Sequence, residues 1–434
     1  MAKKFSLFDT ITNEIPTLLY LLILFFVGVL FARIFSGSLF AEAMNFLSVT
    51  SPIWLPLALI GASYGAWMDY IKTKAFLGKD MILLEIRLPQ EISQSPGAME
   101  IALNAFFHTG EPMHLIDKYW NGAGNPQFSL EIASFEGEIH FFVRCRRKLK
   151  DIIEAHLYAH YPNIEIVEVD DYMDSFEFDL EKKDLFGLEY KLEKPDPIPI
   201  KTYITFGLDK EQKEEFKHDP IATLIENLGT LGKGEFAALQ IVIRSHGASK
   251  RKKGTLFTKE DWRDEAKREQ KAIYDQLKVY QSEQFGPVYR QATEDEKEIL
   301  DAIGRNIAKK PFDTGMRTIY IKDKGAGPGN DAAKFATIFR SFQSHNLNNF
   351  KPLFVMGSTH SWHLAFGRKK KIQESFFNAF RRRCFFHAPH RRPYMVLSSE
   401  ELATVFHLPG QVVQTPTLPR IPSRRADAPP NLPV

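Results

Sequence analysis

The chain has 434 residues, of which 44% are hydrophobic, with a mean hydropathy of −0.24 and a formal net charge of +3. That balance is far too polar for a multi-span transporter and suits ordinary packed domains carrying at most a small membrane anchor. Two cysteines, Cys145 and Cys384, stand far apart without a partner pattern, so free thiols in a reducing cytoplasm are expected.

Two apolar stretches lie near the N-terminus. Thr17 to Phe35 holds a single charge, Arg33, and Pro52 to about Ile71 is uncharged until Asp69. Each is near the roughly 20 residues that a helix needs to cross a bilayer, so the pair reads as a transmembrane hairpin whose connecting loop is Ser36 to Ser51. Lys3 and Lys4 precede the first span, Lys72, Lys74 and Lys79 follow the second, and the loop offers Glu42. A Lys/Arg excess is retained inside, which places both termini in the cytoplasm and the protein in the inner membrane, multi-pass. A cleaved signal peptide fits less well, because no small-residue cleavage site follows the first span.

The first soluble block is expected over residues 80–172. Met81 to Pro89 is a strand, Pro96 to His108 a helix behind a proline start, and Phe128–Phe135 and Glu138–Cys145 a hairpin turned at Glu136-Gly137. A helix from Lys148 to His160 and a strand from Ile164 to Val169 complete the order β-α-β-β-α-β, the ferredoxin-like split unit. After a linker over 173–199, the order recurs across 200–355. Lys201–Leu208 is a strand, Asp219-Pro220 opens a helix ending at Gly229, and Phe236–Arg244 is a second strand. Met316–Ile321, a helix from Asp331 to Phe342 and a last strand near Phe350 follow. The insert 250–310 is polar and helical, with Thr258 and Asp261 suggesting a capping box and a second helix from Glu294 to Ala308. The fold class expected is α+β: a two-helix anchor, then two ferredoxin-like units, the second with a helical insert.

Catalytic patterns are scarce. Gly229–Gly234 (GTLGKG) and Gly325–Gly329 (GAGPG) both fail the pattern of a phosphate-cradling loop, so no nucleotide or other cofactor is expected. His156 and His160 stand at i, i+4 but lack the Glu and third ligand of a zinc site, and His387 and His390 have no paired cysteines, so no metal is expected either. An enzyme is not expected.

Positive charge concentrates in a helical segment over 356–410. Arg368, Lys369, Lys370, Lys371, Arg381, Arg382, Arg383, Arg391 and Arg392 oppose only Glu374, a local charge of +8. Interleaved aromatics (Phe376, Phe377, Phe380, Phe385, Phe386, Tyr394) would allow base stacking beside phosphate contacts. The same helix could instead bury its Phe stripe and leave its cations to water, or lie on anionic lipid. These nine residues are the candidate contacts for nucleic acid or lipid.

At the C-terminus, Ser398 or Ser399 caps a short helix whose Leu402, Val405 and Phe406 need a covering surface, and a proline-rich tail spans 411–434. The stretch SSEELATVFHLPG at 398–410, followed by TPTLPRIPSRRADAPPNLPV, resembles a family of bacterial membrane proteins containing a domain of unknown function. In that family the segment leads into a type IV secretion or conjugative-transfer ATPase of the HerA/FtsK and coupling-protein kind. The N-terminal stretches, MILLEIRLP and HLYAHYPNIEI are similar to the same family. The resemblance implies a membrane-anchored accessory or N-terminal module of a translocation machine, working with a separately encoded ATPase; a homo-oligomer is a further expectation. A membrane-associated nucleic-acid-binding protein and an unrelated membrane scaffold are the alternatives.

Overall fold

The computed structural model describes residues 37–421 apart from short segments, the longest being 211–218, 252–258, 325–334, 356–367 and 411–417. The chain forms two compact units. One comprises Met1–Lys79, Gly110–Gly124 and Phe386–Arg391, and the other the remainder.

The first unit is built on helix α1 (Gly37–Leu77), 41 residues long, or roughly 60 Å at 1.5 Å per residue. Within it, Met44–Leu77 is long and apolar enough to cross a membrane, and it is the one such helix among the described residues. The expected second span lies inside α1; the expected first span, Thr17–Phe35, lies outside the described residues. The expected loop at Ser36–Ser51 is corrected: from Gly37 onward it is helix, continuous with the span. No Gly or Pro interrupts the sequence between Ser38 and Ser51, and Ala41, Met44 and Leu47 favour helix. Pro52 would leave the Ser48 carbonyl unpaired, but the Ser51 hydroxyl donates to it at 2.7 Å. Trp54 Nε1 likewise donates to the Leu47 carbonyl at 3.2 Å. Towards its C-terminal end α1 acquires a small core. Met68, Ile71 and Phe76 are buried, Thr73 Oγ1 donates to Ala388 O at 3.0 Å, and Phe76 stacks on His387 at 5.1 Å.

The second unit is organised on one ten-stranded sheet. Its strands are β1 (Met81–Pro89), β2 (Gln127–Phe135), β3 (Glu138–Arg146), β4 (Glu165–Val169), β5 (Lys183–Leu192), β6 (Glu235–Ser245), β7 (Pro311–Asp323), β8 (Phe350–Val355), β9 (Met395–Ser398) and β10 (Arg420–Ile421). The order is β8-β5-β7-β6-β2-β3-β1-β10, with β9 also on β7 and β4 also on β1. Every pairing is antiparallel except β1 with β10. The first half thus runs β4-β1-β3-β2 and the second β8-β5-β7-β6, each with its first strand between its fourth and third. The halves join edge to edge through β2 and β6, Ala133 opposite Ala238.

The helices are α2 (Pro96–Leu103), α3 (Leu115–Tyr119), α4 (Lys150–His160), α5 (Ile221–Gly229), α6 (Trp262–Leu277), α7 (Glu294–Ala308), α8 (Arg368–Arg381) and α9 (Ser399–Val405), of which α3 belongs to the first unit. Strand alternation splits the sheet into two buried faces. On one, Leu130, Phe141, Leu239 and Met316 pack with α2, α4, α5 and α9; on the other, Phe142, Phe236 and Ile319 pack with Phe376, Phe377 and Phe380 of α8.

Local chemistry explains most elements. Glu136 and Gly137 both have positive φ (53° and 98°), the geometry of a two-residue hairpin turn. Helix α7 begins at a complete capping box, Thr293 with Glu296; the Thr258 expected to open the insert lies outside the described residues. Of the helix expected from Asp331 to Phe342, residues 331–334 and 336 also lie outside them, and its end is a single 3-10 turn at Arg340–Phe342. One strand is misplaced by sequence reasoning. Lys201–Leu208 runs through turns, because Ile200 N–H donates to Glu401 Oε1 and Tyr203 N–H to Thr404 Oγ1, both at 3.0 Å, so side chains of α9 take donors that a ladder would use. The strand is β5, within the expected 173–199 linker.

Close packing over glycine closes the second face. A Cβ at Gly315 would run into the Phe385 ring, and one at Gly187 into Phe376. Gly315→Ala is expected to destabilise by roughly 1–3 kcal/mol through overpacking, read as a lower melting temperature; an unchanged transition would show that Phe385 is free to move.

Candidate functional site

The basic segment arrives on the sheet's second face, where a row of polar side chains crosses the middle. Glu131 on β2 lies opposite Gln240 on β6, Gln240 opposite Arg317 on β7, and Arg317 opposite Glu189 on β5. All four are buried. Four polar residues in register on adjacent strands must find partners within the protein.

Helix α8 supplies them. Its last turn ends in a Schellman arrangement: Cys384 N–H donates to Ala379 O at 2.9 Å and Arg383 N–H to Phe380 O at 3.0 Å, with Arg383 left-handed at φ 52°. Glycine ordinarily takes that position, since a side chain there costs roughly 1–2 kcal/mol. Here the side chain is used. Arg383 Nε and Nη2 donate to the two Glu131 oxygens at 2.9 and 3.1 Å, and Nη1 donates to Asp171. Glu131 also accepts from Ser129 at 2.6 Å, Tyr172 at 2.6 Å and Gln240 at 2.9 Å. Arg317 donates to Gln240 Oε1 at 2.7 Å, to Ala379 O at 2.7 Å and to Cys384 O at 3.1 Å. A guanidinium therefore caps the negative end of α8 from below.

Burial alone would raise the Glu131 carboxyl, but the Arg383 guanidinium outweighs it, with the Ser129 and Tyr172 hydroxyls assisting, and holds it at about 2. Burial opposes the charge on Arg383 too, yet Glu131, Tyr172 and Asp171 hold its pKa well above the usual arginine range. Arg317 is lowered to about 10, burial being the main cause. Burial also pushes the two unpaired thiols up, Cys384 to about 11 and Cys145 to about 12, which leaves both protonated and unreactive at neutral pH.

The nine candidate cations thus separate. Arg383 is buried in the row and cannot meet a phosphate. Arg392 Nε lies 3.2 Å from Glu189 Oε2, Arg381 pairs with Asp174 at 2.9 Å, and in the first unit Arg391 lies 3.7 Å from Asp69. Lys370 and Lys371 are exposed, and Arg382 is half-buried. Arg368 and Lys369 open α8, but their side chains lie outside the described residues. The interleaved rings of Phe376, Phe377, Phe380, Phe385 and Phe386 are buried. Sequence reasoning missed Glu131, Gln240 and Arg317, because a polar residue at every second strand position imitates a solvent-facing side. The available signal was their company: Glu131 and Gln240 each sit mid-strand between two apolar residues, and Arg317 follows Met316 in a strand that continues into Ile319 and Ile321.

The opposite face carries a second polar anchor. All seven residues of α9 are buried, and Ser398 with Glu401 forms a capping box. Glu400 accepts from Thr202 at 2.6 Å, and Glu100 accepts from Tyr203 at 2.7 Å and from Lys309 at 2.7 Å. His407 pairs with Asp219 at 3.1 Å and contacts Ala403 O at 2.9 Å. Burial opposes its charge, but Asp219 prevails and raises its pKa. The short C-terminal helix expected to need a surface finds it within this chain.

One family model, described as a domain of unknown function (DUF8128), matches residues 110–420, well over half of the chain. The chain belongs to the DUF8128 family. The DUF8128 match takes in the polar row, the basic segment and α9, and it leaves out α1 and β1. No curated protein matches the chain.

Replacing Arg383 by Gly relaxes the backbone yet strands Glu131, so a net loss of about 3–5 kcal/mol is expected in chemical denaturation; parental stability would show that the pair holds nothing. The pH dependence follows from the lowered Glu131 pKa. Its contribution is complete above the ordinary 4.5 and is lost as pH falls toward 2, so the deficit of Glu131→Gln relative to the parent should narrow across that window. A deficit that stays constant down to pH 2 would contradict the assignment.

Proposed function

We propose that this DUF8128 protein is a membrane-anchored module of a type IV secretion-like or conjugation-like machine, giving a cytoplasmic assembly surface to an ATPase of the HerA/FtsK kind. The observation that carries the anchored reading is α1, whose Phe46, Val49, Ile53, Leu57 and Ile60 project with nothing among the described residues to cover them. Such a surface is stable in lipid and costly in water. The flanking lysines support two spans with both termini inside.

In this reading the second unit is two ferredoxin-like halves. The strand orders β4-β1-β3-β2 and β8-β5-β7-β6 support it, as does the β-α-β-β-α-β succession of the first half. The resemblance of residues 398–410 and of the tail to the segment preceding an ATPase supports the choice of partner. Absence of a phosphate-cradling loop from the sequence supports leaving hydrolysis to that partner. The nucleic-acid alternative is weakened by the carboxylates that engage Arg381, Arg383, Arg391 and Arg392.

Two measurements test the proposal. Full-length protein should stay with the membrane after an alkaline carbonate wash, and Leu57→Asp with Ile60→Asp should shift it to the supernatant; a parent released by the wash would overturn the anchor. Crosslinking in native membranes should recover an ATPase of the named class, while the purified chain alone hydrolyses no ATP. Turnover by the chain alone that a point change within it abolishes would overturn the division of labour.

A further inference from the structure

We propose that the segment around α3 is a second membrane contact, a wedge that seats Leu115, Ile116 and Trp120 in the boundary between lipid headgroups and acyl chains beside α1. It rests on the reading of α1 as a membrane helix and adds a surface that this reading does not require. The three side chains are 74%, 68% and 70% exposed. Three such side chains on and at the end of a five-residue helix form a concentrated apolar surface of the kind that marks an interaction site.

The first unit fixes the level at which the wedge stands. Trp67 Nε1 donates to Tyr119 O at 2.9 Å, the Trp67 and Trp120 rings lie 5.3 Å apart, and those of Tyr64 and Tyr119 lie 6.3 Å apart. Gly122, at φ 63°, lets the returning chain touch α1: a Cβ there would lie 2.5 Å from Ile71 O. Asp117 ties the turn, its carbonyl accepting from Ala123 N–H at 2.8 Å and its carboxylate from Asn121 at 3.1 Å. The wedge is therefore held beside residues 64–71 of α1.

At that level α1 changes character. Its residues from Ile53 to Ile60 are bare apolar side chains, whereas from Met68 onward one face is buried in protein. Tyr64, Trp67, Tyr70, Tyr119 and Trp120 gather at the change, as aromatic residues do at a bilayer interface. Cations follow immediately. Lys74 lies over Tyr70 at 5.8 Å and Lys118 over Tyr119 at 5.2 Å, where anionic headgroups would meet them. Apolar tip, aromatic collar and cationic rim in that order match the profile of a lipid leaflet, and the tip is continuous with the exposed surface of α1; this favours lipid over a second copy of the chain or another protein.

The test places a nitroxide on the full chain at one of three exposed isoleucines, through Ile53→Cys, Ile101→Cys or Ile116→Cys, in phosphatidylcholine vesicles containing phosphatidylglycerol. Unsubstituted protein, whose own thiols are buried, gives the background. Ile53 reports on α1 and Ile101, on α2, reports on water. The expected result is oxygen collision several-fold higher, and nickel-chelate collision several-fold lower, at 53 and 116 than at 101. Oxygen access at 53 with nickel access at 116 overturns the wedge and leaves the anchor standing. Nickel access at 53 overturns the anchor itself. A label at 116 shielded from both probes also overturns the wedge, because it identifies a protein occupant. Leu115→Cys repeats the measurement one residue away, so that a local effect of the label cannot decide the outcome.

Discussion

The buried row Glu131–Gln240–Arg317–Glu189 is the constraint on which the second unit depends. Charges taken out of water cost several kcal/mol each unless they are paired and hydrogen-bonded, and the row's two carboxylates outnumber its one guanidinium until Arg383 and Arg392 arrive. It can therefore be closed only by one segment in one position. That requirement explains why α8 ends where it does, why an arginine occupies a left-handed position suited to glycine, and why aromatic rings pack against Gly187 and Gly315. It also fixes register. A slip of one residue between β2 and β6 would carry Glu131 to the other face, among leucines and phenylalanines.

Much of the fold was legible in the sequence because it is written locally. The Glu136-Gly137 turn, the proline start of α2 and the limits of α7 depend on residues within a few positions of themselves. What was not legible depends on partners far along the chain. Lys201–Leu208 has the alternation of a strand, but Thr202 and Tyr203 donate to α9, about two hundred residues later, and the Phe206, Gly207 and Leu208 amides turn back on the segment itself. β5 was passed over because Gly187 and its charged neighbours weaken the pattern, and Gly187 is there to admit the Phe376 ring. In α1 the expected loop failed for the opposite reason: a serine hydroxyl beside a proline is a local repair that composition alone does not reveal.

The basic segment shows the same division. Nine cations in 25 residues read as one electrostatic feature, yet those with described partners serve separate structural purposes, from the Glu131 clamp to the Asp174 and Asp69 pairs. Local charge density measures neither exposure nor availability, and here Arg383, which closes the run Arg381–Arg383, is among the least accessible of the described residues. The candidate site was found by its neighbours rather than its charge, since the pairing carboxylates Glu131, Glu189 and Asp171 lie about two hundred residues upstream.

The two rims of the sheet bear on how this protein can gather. On the β8 side the outermost ladder is broken by a register shift between Pro352 and Phe354, and a proline has no N–H to offer a newcomer. On the other side β1 is already occupied, by β4 over most of its length and by β10 at Leu88 and Pro89. β4 in turn is guarded by Glu168, bridged to Arg147 and Lys150 at 2.8 Å. The described rims of the large sheet thus offer a neighbouring molecule no long unguarded strand to zip onto, which favours gathering through helices, loops or a third component, whose growth stays reversible.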